Sequence, residues 1–384
     1  MTTQQKPLTL LGQLTPQQFL TEYWQKKPLL IRQAIPNFNG LLDPNELAGL
    51  ACEDEVQSRI IQYKNKKWHV KQGPFEEKDF AKLPEKNWTL LVQSVNHHLP
   101  TATDLLAQFN FIPHARLDDL MVSYAPDGGG VGAHFDSYDV FLLQGSGKRN
   151  WKISGQQDFS FDEDAPIKVL TDFVAEQEWV LEAGDMLYLP PQFAHLGVAE
   201  GEDCMTYSIG FRAPKTQELA HEFLSYMQEH TALDGLYADP DLSLQPHPAE
   251  ITTAMVSNVD AMLKNLIWNQ NAVADFLGCY LTEPKMHIVF EPVKKISLEK
   301  FAHKLTKQSL YLELKTQMLF WQQQFYLNGE RIEVPAALIS CMQLFADKRC
   351  INVQDLDASM RDQLAALLLP SYLAGYFVFE HDLY

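Results

Sequence analysis

Residues 123–153 read SYAPDGGGVGAHFDSYDVFLLQGSGKRNWKI, and the order of residue types in this stretch decides the fold. The segment leaves a β run, passes through a glycine-rich turn, and presents His134 and Asp136 two apart before the apolar runs DVFLLQG and RNWKIS. A strand repeats its side-chain direction every two residues, so both polar groups point to the same side of a sheet. A third candidate, His195, lies in GDMLYLPPQFAHLGVAEG, 59 residues beyond Asp136 and just after the strand pattern DMLYLP. Two imidazoles and a carboxylate can occupy one face of an octahedral ion and leave three positions open, which an oxygenase needs and a structural metal site does not.

Outward from this segment, residues 59 to 215 carry short β runs separated by Gly, Pro, Asn and Asp turns, with no helical segment alternating between them. That texture predicts an antiparallel sandwich or barrel, not a parallel α/β sheet. Before it, LTPQQFLTEYWQKKP places Thr15 as an N-cap and Pro16 at the first helical position. After Pro214 the periodicity becomes helical, through TQELAHEFLSYMQEH and PAEITTAMVSNVDAMLKNLIWNQNAVADFLGCYL. The last hundred residues combine a helix around 298–307, a hairpin in MLFWQQQFYLNGERIEV turning at Asn328-Gly329, two short helices and the strand GYFVFE, a winged-helix pattern.

Composition narrows the function classes. The 384 residues are 46% hydrophobic and 21% charged, an ordinary composition able to bury a core over two or three domains. With 31 Lys and Arg against 49 Asp and Glu, the net charge of −18 disfavours nucleic acid and anionic membrane and favours a basic protein partner. Residues 275–384 balance 11 basic against 13 acidic residues, so the winged helix is expected to contact protein, and direct nucleic-acid binding is not expected. No signal segment or membrane span is legible. Cys52, Cys204, Cys279, Cys341 and Cys350 are scattered and odd in number, which predicts reduced thiols in a cytoplasmic protein. Lys64, Lys66, Lys67 and Lys71 around Trp68 read as a solvated strand edge, and His97-His98 has no partner at metal-ligand spacing.

The residue pattern alone leaves seed-storage-like cupins and zinc-binding isomerases open. The HxD pair, the strand FLLQGSGKRNWKI and GDMLYLPPQFAHLGVA together resemble the JmjC oxygenases, and the whole layout resembles the bacterial ribosomal oxygenases. This resemblance implies a mainly β catalytic core, a double-stranded β-helix or cupin-like JmjC barrel, with N-terminal helices over 1–214. It also implies an α-helical dimerisation region over 215–274 and a C-terminal winged-helix domain over 275–384. Fe(II) would be held by His134, Asp136 and His195, with 2-oxoglutarate and O2 as co-substrates. The distal carboxylate of 2-oxoglutarate would meet the basic residue fifteen positions after the first histidine, Arg149, since Arg offers a bidentate fork. Many relatives use Lys there, which keeps the adjacent Lys148 in view; Arg149 is preferred because it shares a face with Trp151. The implied reaction is hydroxylation of an arginine β-carbon in a basic large-subunit ribosomal protein, with 2-oxoglutarate converted to succinate. Tyr138 and Asp127 are the candidate substrate contacts, with Tyr124, Asp118, Asp119 and Asp139 also expected near the barrel mouth. Histidyl hydroxylation, N-methyl-lysine demethylation and a non-catalytic cupin-like binding protein are the alternatives. Finally, apolar stripes through Leu219, Phe223, Leu224 and Met227, then Ile251, Met255, Val259, Met262, Leu263 and Leu266, predict a homodimer, against covering of the barrel by the same helices.

Overall fold

The computed structural model describes residues 6–157, 159–354 and 356–382. The N-terminal part runs α1 (Pro16–Glu22), β1 (Leu29–Ile31), α2 (Pro44–Leu50), β2 (Ser58–Lys64), β3 (Lys67–Gln72), α3 (Glu77–Phe80), β4 (Trp88–Val92) and α4 (Pro100–Ala107). The barrel continues through β5 (Leu117–Ala125), β6 (Val140–Ser154), β7 (Gln177–Glu182), β8 (Met186–Leu189) and β9 (Ala194–Phe211). These strands form one antiparallel sheet in the order β1-β8-β6-β9-β5-β4-β2-β3, with β7 also on β6. The β-barrel expectation therefore holds, although α3 and α4 interrupt the run of strands that the sequence reading left free of helix. Pro100 at the first position of α4 and the apolar Ala102, Leu105 and Leu106, all buried, are the signals of that helix.

The long strands β6 and β9 bend and hold the barrel together. The runs DVFLLQG and RNWKIS are one strand, paired with β8 at 140–143 and with β7 at 148–153. Gln144 pairs with Thr206 and Ser146 with Met205, so Gly145 is an extra residue, and the register shifts again before Lys148. Such a bulge bends the strand and changes which residues face inward. On one face Phe141, Leu143, Tyr207, Ile209 and Phe211 pack with Phe19 of α1 and Phe109 beyond α4. On the other, Val140, Leu142, Trp151, Ile153, Leu181, Leu187 and Leu189 line the interior. Each fully buried aromatic or aliphatic side chain of this set contributes about 1.5–3 kcal/mol of transfer free energy. Thr15 caps α1 as predicted, accepting from the Gln18 amide at 3.2 Å while Gln18 returns the bond to the Thr15 amide at 2.9 Å. The lysine-bearing β3 is the free edge of the sheet, which suits its charge.

Beyond the barrel come α5 (Thr216–His230), α6 (Thr253–Leu263), α7 (Gln270–Thr282) and α8 (Leu298–Leu305), then β10 (Leu310–Leu312), β11 (Met318–Trp321), β12 (Gln324–Leu327) and β13 (Glu330–Ile332). The chain closes with α9 (Ile339–Lys348), β14 (Cys350–Ile351), α10 (Ala358–Leu373) and β15 (Phe377–Phe379). Three details differ from the sequence reading. The expected hairpin is a three-stranded meander: Asn328-Gly329, both at positive φ, turns β12 into β13, and a second turn at Gln322 joins β11 to β12. The expected boundary at 275 falls inside α7, whose Asp275 accepts from Tyr326 Oη at 2.7 Å and whose Gly278 lies against the Tyr326 ring, so this helix packs as part of the C-terminal unit. The helical stretch expected after 248 breaks into α6 and α7 at Lys264–Asn269, where Asn269 caps α7. No helix among the described residues is long and apolar enough to cross a membrane.

Candidate metal centre

His134 does not lie in a regular strand; it makes a single bridge to His195 at the start of β9. The two residues exchange both backbone bonds, His134 N–H to the His195 carbonyl at 3.0 Å and the reverse at 2.7 Å. Their rings stand 4.2 Å apart between centroids. Asp136, two residues on and outside any strand, is anchored where its carbonyl accepts from the Gln192 amide at 2.7 Å. The alternation inferred from sequence thus survives without a strand, and ligand atoms of His134, Asp136 and His195 all lie within 4.8 Å of one another. It is the one group of three or more His, Cys, Asp or Glu residues so placed among the described residues.

Hydrogen bonds fix which nitrogen each ring presents. His134 Nδ1 is 3.1 Å from the Gly132 carbonyl and His195 Nδ1 is 2.9 Å from the Phe193 carbonyl. A carbonyl can only accept, so each Nδ1 carries the proton and each Nε2 lone pair is free to coordinate. Burial, with the His134 imidazole beside it, holds the His195 pKa down to about 4, so this ring is neutral near pH 7. The donor set of two imidazoles and one carboxylate suits a divalent transition metal such as Fe(II).

Arg149 and Lys148 take opposite sides of β6. Lys148 reaches outward to Glu182 at 2.5 Å, whereas Arg149 is 3% exposed and points into the barrel. The Arg149 Nε and Nη2 atoms are buried with no hydrogen-bond partner among the described residues. A buried cation left this way is costly, by several kcal/mol, unless an anion enters to meet it. Arg149 pairs with Ala199 and Ile153 pairs with His195, so four residues of β9, about 13 Å of strand, separate the two ends. Trp151 fills the space between, its ring 5.7 Å from the Arg149 guanidinium and 5.8 Å from the His195 ring. From sequence Trp151 served only to choose Arg149; its position between Arg149 and His195 was not anticipated. Nor was Gly197, where an added Cβ would stand 2.5 Å from the indole.

The other anticipated residues divide. Tyr138 is 41% exposed, and the carboxylates of Asp136 and Asp119 face its phenol; partial burial and these charges raise its pKa. Asp119 joins it across Gly210, where an added Cβ would lie 3.6 Å from Asp119 Oδ1 and 3.8 Å from the Tyr138 ring. Burial and the neighbouring Asp118 raise the Asp119 pKa. Asp118 is held by Lys285 at 3.2 Å and Arg212 at 3.5 Å. Asp127, expected at the substrate, instead pairs with Lys86 at 2.8 Å and accepts from the Gly201 amide at 3.0 Å. Gly201 is six residues beyond His195 on β9, about 20 Å away, because the glycine-rich loop runs the length of that strand before returning. Tyr124 likewise sits at the far end, donating to Asp203 at 3.2 Å. Asp139 is fully buried on the packing face, where it accepts from Tyr188 Oη at 2.6 Å and Gln25 at 2.9 Å.

The JmjC domain family matches residues 104–219 and the ROXA-like winged helix matches residues 265–376. The chain is 35% identical over 367 residues to the ribosomal protein uL16 3-hydroxylase of Escherichia coli, covering 94% of this chain and 97% of that protein. It is 41% identical over 242 residues to a probable ribosomal oxygenase of Haemophilus influenzae, covering 60% of this chain and 56% of that one. The solved structure of the Escherichia coli ribosomal oxygenase YcfD with cobalt and 2-oxoglutarate superposes with a TM-score of 0.83 at 33% identity, over 96% of this chain and 98% of that chain. The barrel with its metal-binding cluster, the winged helix and these likenesses agree: this chain belongs to the JmjC ribosomal oxygenases, the 2-oxoglutarate-dependent hydroxylases.

Proposed function

We propose that this chain hydroxylates an arginine β-carbon of the large-subunit ribosomal protein uL16, with His134, Asp136 and His195 holding Fe(II) and Arg149 holding the distal carboxylate of 2-oxoglutarate. The observation that carries the cofactor assignment is the buried, partnerless guanidinium of Arg149 on the same inner face as the three clustered donors. Bound there, iron and 2-oxoglutarate supply the oxidising chemistry, with succinate and carbon dioxide as co-products. The protein's part is orientation and exclusion of water. The two Nδ1–H bonds aim both imidazoles, Arg149 sets the far end of the dicarboxylate, and Trp151 walls the space between. Substrate choice is assigned to the 35% identical relative's named target together with the mouth of the site. The half-exposed Tyr138 ring offers a face to a guanidinium, and the Asp119 carboxylate, disfavoured as an anion at rest, gains most from an entering cation. Asp127 has no part in this assignment. Intact mass of uL16 from cells with and without the protein tests it: a difference of one oxygen on an arginine is expected, and identical masses would refute the target.

We also assign a homodimer to the helical region. Phe223 and Met227 of α5 are covered within the chain, Phe223 against Phe276 and Trp268, so only part of the predicted stripe is free. The face of α6 is different: Met255 at 42%, Val259 at 38%, Met262 at 39% and Leu263 at 64% stay exposed, and none of its residues is buried. An exposed apolar face of this length favours a second copy over solvent. Charges at Met255 and Val259 are expected to convert a dimer seen by light scattering into a monomer.

A further inference from the structure

A cavity of about 380 Å³ opens beside the mouth of the barrel, and none of the chemistry above uses it. Its walls include Asp54, Glu55, Gln57, Arg59, Gln93 and His287. Cross-strand pairing places it. Arg59 stands opposite Leu91, Leu91 opposite Ser123, and Ser123 opposite Thr206, so Arg59 belongs to the same row of the sheet as residues of β9. Gln93 donates its amide to Gln57 at 2.9 Å, and the next residue, Ser94, donates both its amide and its hydroxyl to Asp119, at 2.9 and 3.1 Å. The cavity therefore begins one residue from the carboxylate at the mouth. The C-terminal unit closes its outer side, with His287 Nδ1 3.3 Å from Gln57 and Lys285 on Asp118.

Two residues that line this cavity each carry a buried polar atom with no hydrogen-bond partner among the described residues: Arg59 Nε, a donor, and Gln93 Oε1, an acceptor. Each orphan destabilises the protein while it stays unmet. Arg59 stands opposite Leu91 and Gln93 opposite Gln57, so donor and acceptor lie two residues apart along the pairing and on one face, a spacing that suits the carbonyl and N–H of a polypeptide. Asp54 and Glu55 at the rim suit a chain rich in basic residues. From β5 across β4 to β2 is two strand spacings, about 10 Å, and the row of Arg59 meets β5 at Ser123, four residues or about 13 Å from Asp119, so an extended peptide covers the diagonal of about 16 Å in about five residues.

We propose that this cavity is a second subsite for the substrate polypeptide, gripping its main chain about five residues from the hydroxylated side chain, with Arg59 donating to a carbonyl and Gln93 accepting an amide. The inference rests on the protein-hydroxylase reading and adds where the flanking chain is held.

The test compares the full-length parent with Arg59→Met and Gln93→Leu on two uL16-derived arginine peptides, one extending five residues to each side of the target and one extending a single residue. Thermal melts establish that each variant is folded. For the long peptide, KM is expected to rise about tenfold in either variant with kcat held, as for loss of one hydrogen bond to a buried polar or charged group. The short peptide should have the same KM in all three proteins, and Arg59→Lys should recover part of the loss. A long-peptide KM within twofold of the parent, or an equal rise for both peptides, overturns the subsite. Fluorescence anisotropy of the labelled long peptide separates this from the target assignment. Binding that weakens in Arg59→Met while the parent turns over no peptide keeps the subsite and removes uL16 as the target; binding unaffected by either variant removes the subsite.

Discussion

Replacing Arg149 by Met separates the two consequences of a buried, partnerless cation. In the protein without co-substrate, the guanidinium is 3% exposed with Nε and Nη2 unmet, so its removal takes away a desolvation cost and not a bond. Methionine fills a similar volume without charge. By analogy with buried ions exchanged for apolar residues, stability should be unchanged or higher, by about 1–4 kcal/mol. With co-substrate the sign reverses. A charge pair buried beside Trp151 is worth about 2–5 kcal/mol when one partner is truncated, and about 3 kcal/mol corresponds to roughly a hundredfold rise in the KM for 2-oxoglutarate. Differential scanning fluorimetry with a metal that does not turn over shows both effects. Co-substrate at a hundredfold above the parent's Kd should stabilise the parent by about 2.7 kcal/mol and Arg149→Met, then near its own Kd, by only about 0.4 kcal/mol. Lys148→Met is the control: its ammonium is 55% exposed and faces Glu182, so a change within about 0.5 kcal/mol and an unaltered KM are expected. The reasoning fails if Arg149→Met melts lower by the 3–5 kcal/mol typical of a broken, satisfied ion pair, or if its KM matches the parent's.

Other outcomes follow from the same geometry. Ala at His134, Asp136 or His195 should abolish 2-oxoglutarate turnover with the cooperative melt retained, since the cluster is not part of the apolar core; succinate formation at the parent rate in any one would remove it as a ligand. Gly197→Ala puts a methyl 2.5 Å from the Trp151 ring, so the indole must shift; tryptophan fluorescence should change and 2-oxoglutarate turnover fall at least tenfold, and unchanged values of both would refute the wall. Acid should destabilise the metal-free protein through its buried histidines. His97 is held down to about 3 by burial first and His98 next, and the usual imidazole value lies near 6.5. Between about pH 6.5 and 3 the unfolded chain binds this proton and the folded one does not. Stability is therefore full above pH 6.5 and falls as pH drops, on the order of 1 kcal/mol per pH unit. His97→Gln should flatten that slope in urea melts at pH 4 to 7, and an equal slope would assign the effect elsewhere.

Periodicity and local chemistry made much of this protein legible in its sequence. The two-residue repeat of extended backbone put His134 and Asp136 on one side, and the turn residues bounded the strands of the barrel. The Thr15 cap and the Asn328-Gly329 turn are local signals, and both stand where they were read. Arg149 over Lys148 was legible from its place fifteen residues after His134, which the family resemblance singles out, together with Trp151, close enough to share its register. Counted from Leu142 instead, alternation would have put Lys148 inside, and the extra residue at Gly145 is what reverses it. What the tertiary structure alone decided depends on contacts between residues distant in sequence. The glycine-rich loop carries Asp127 about 20 Å along β9 from His195, although nine residues separate it from Asp136, because the loop must follow the strand it packs on. Asp119 meets Tyr138 only across Gly210, and Trp151 meets its limit only at Gly197. A sequence specifies which groups are polar, but whether a buried donor such as Arg59 Nε or Arg149 Nη2 has a partner is fixed by the neighbouring strands. Those unmet groups, absent from any one-dimensional pattern, are where the structure points to its ligands.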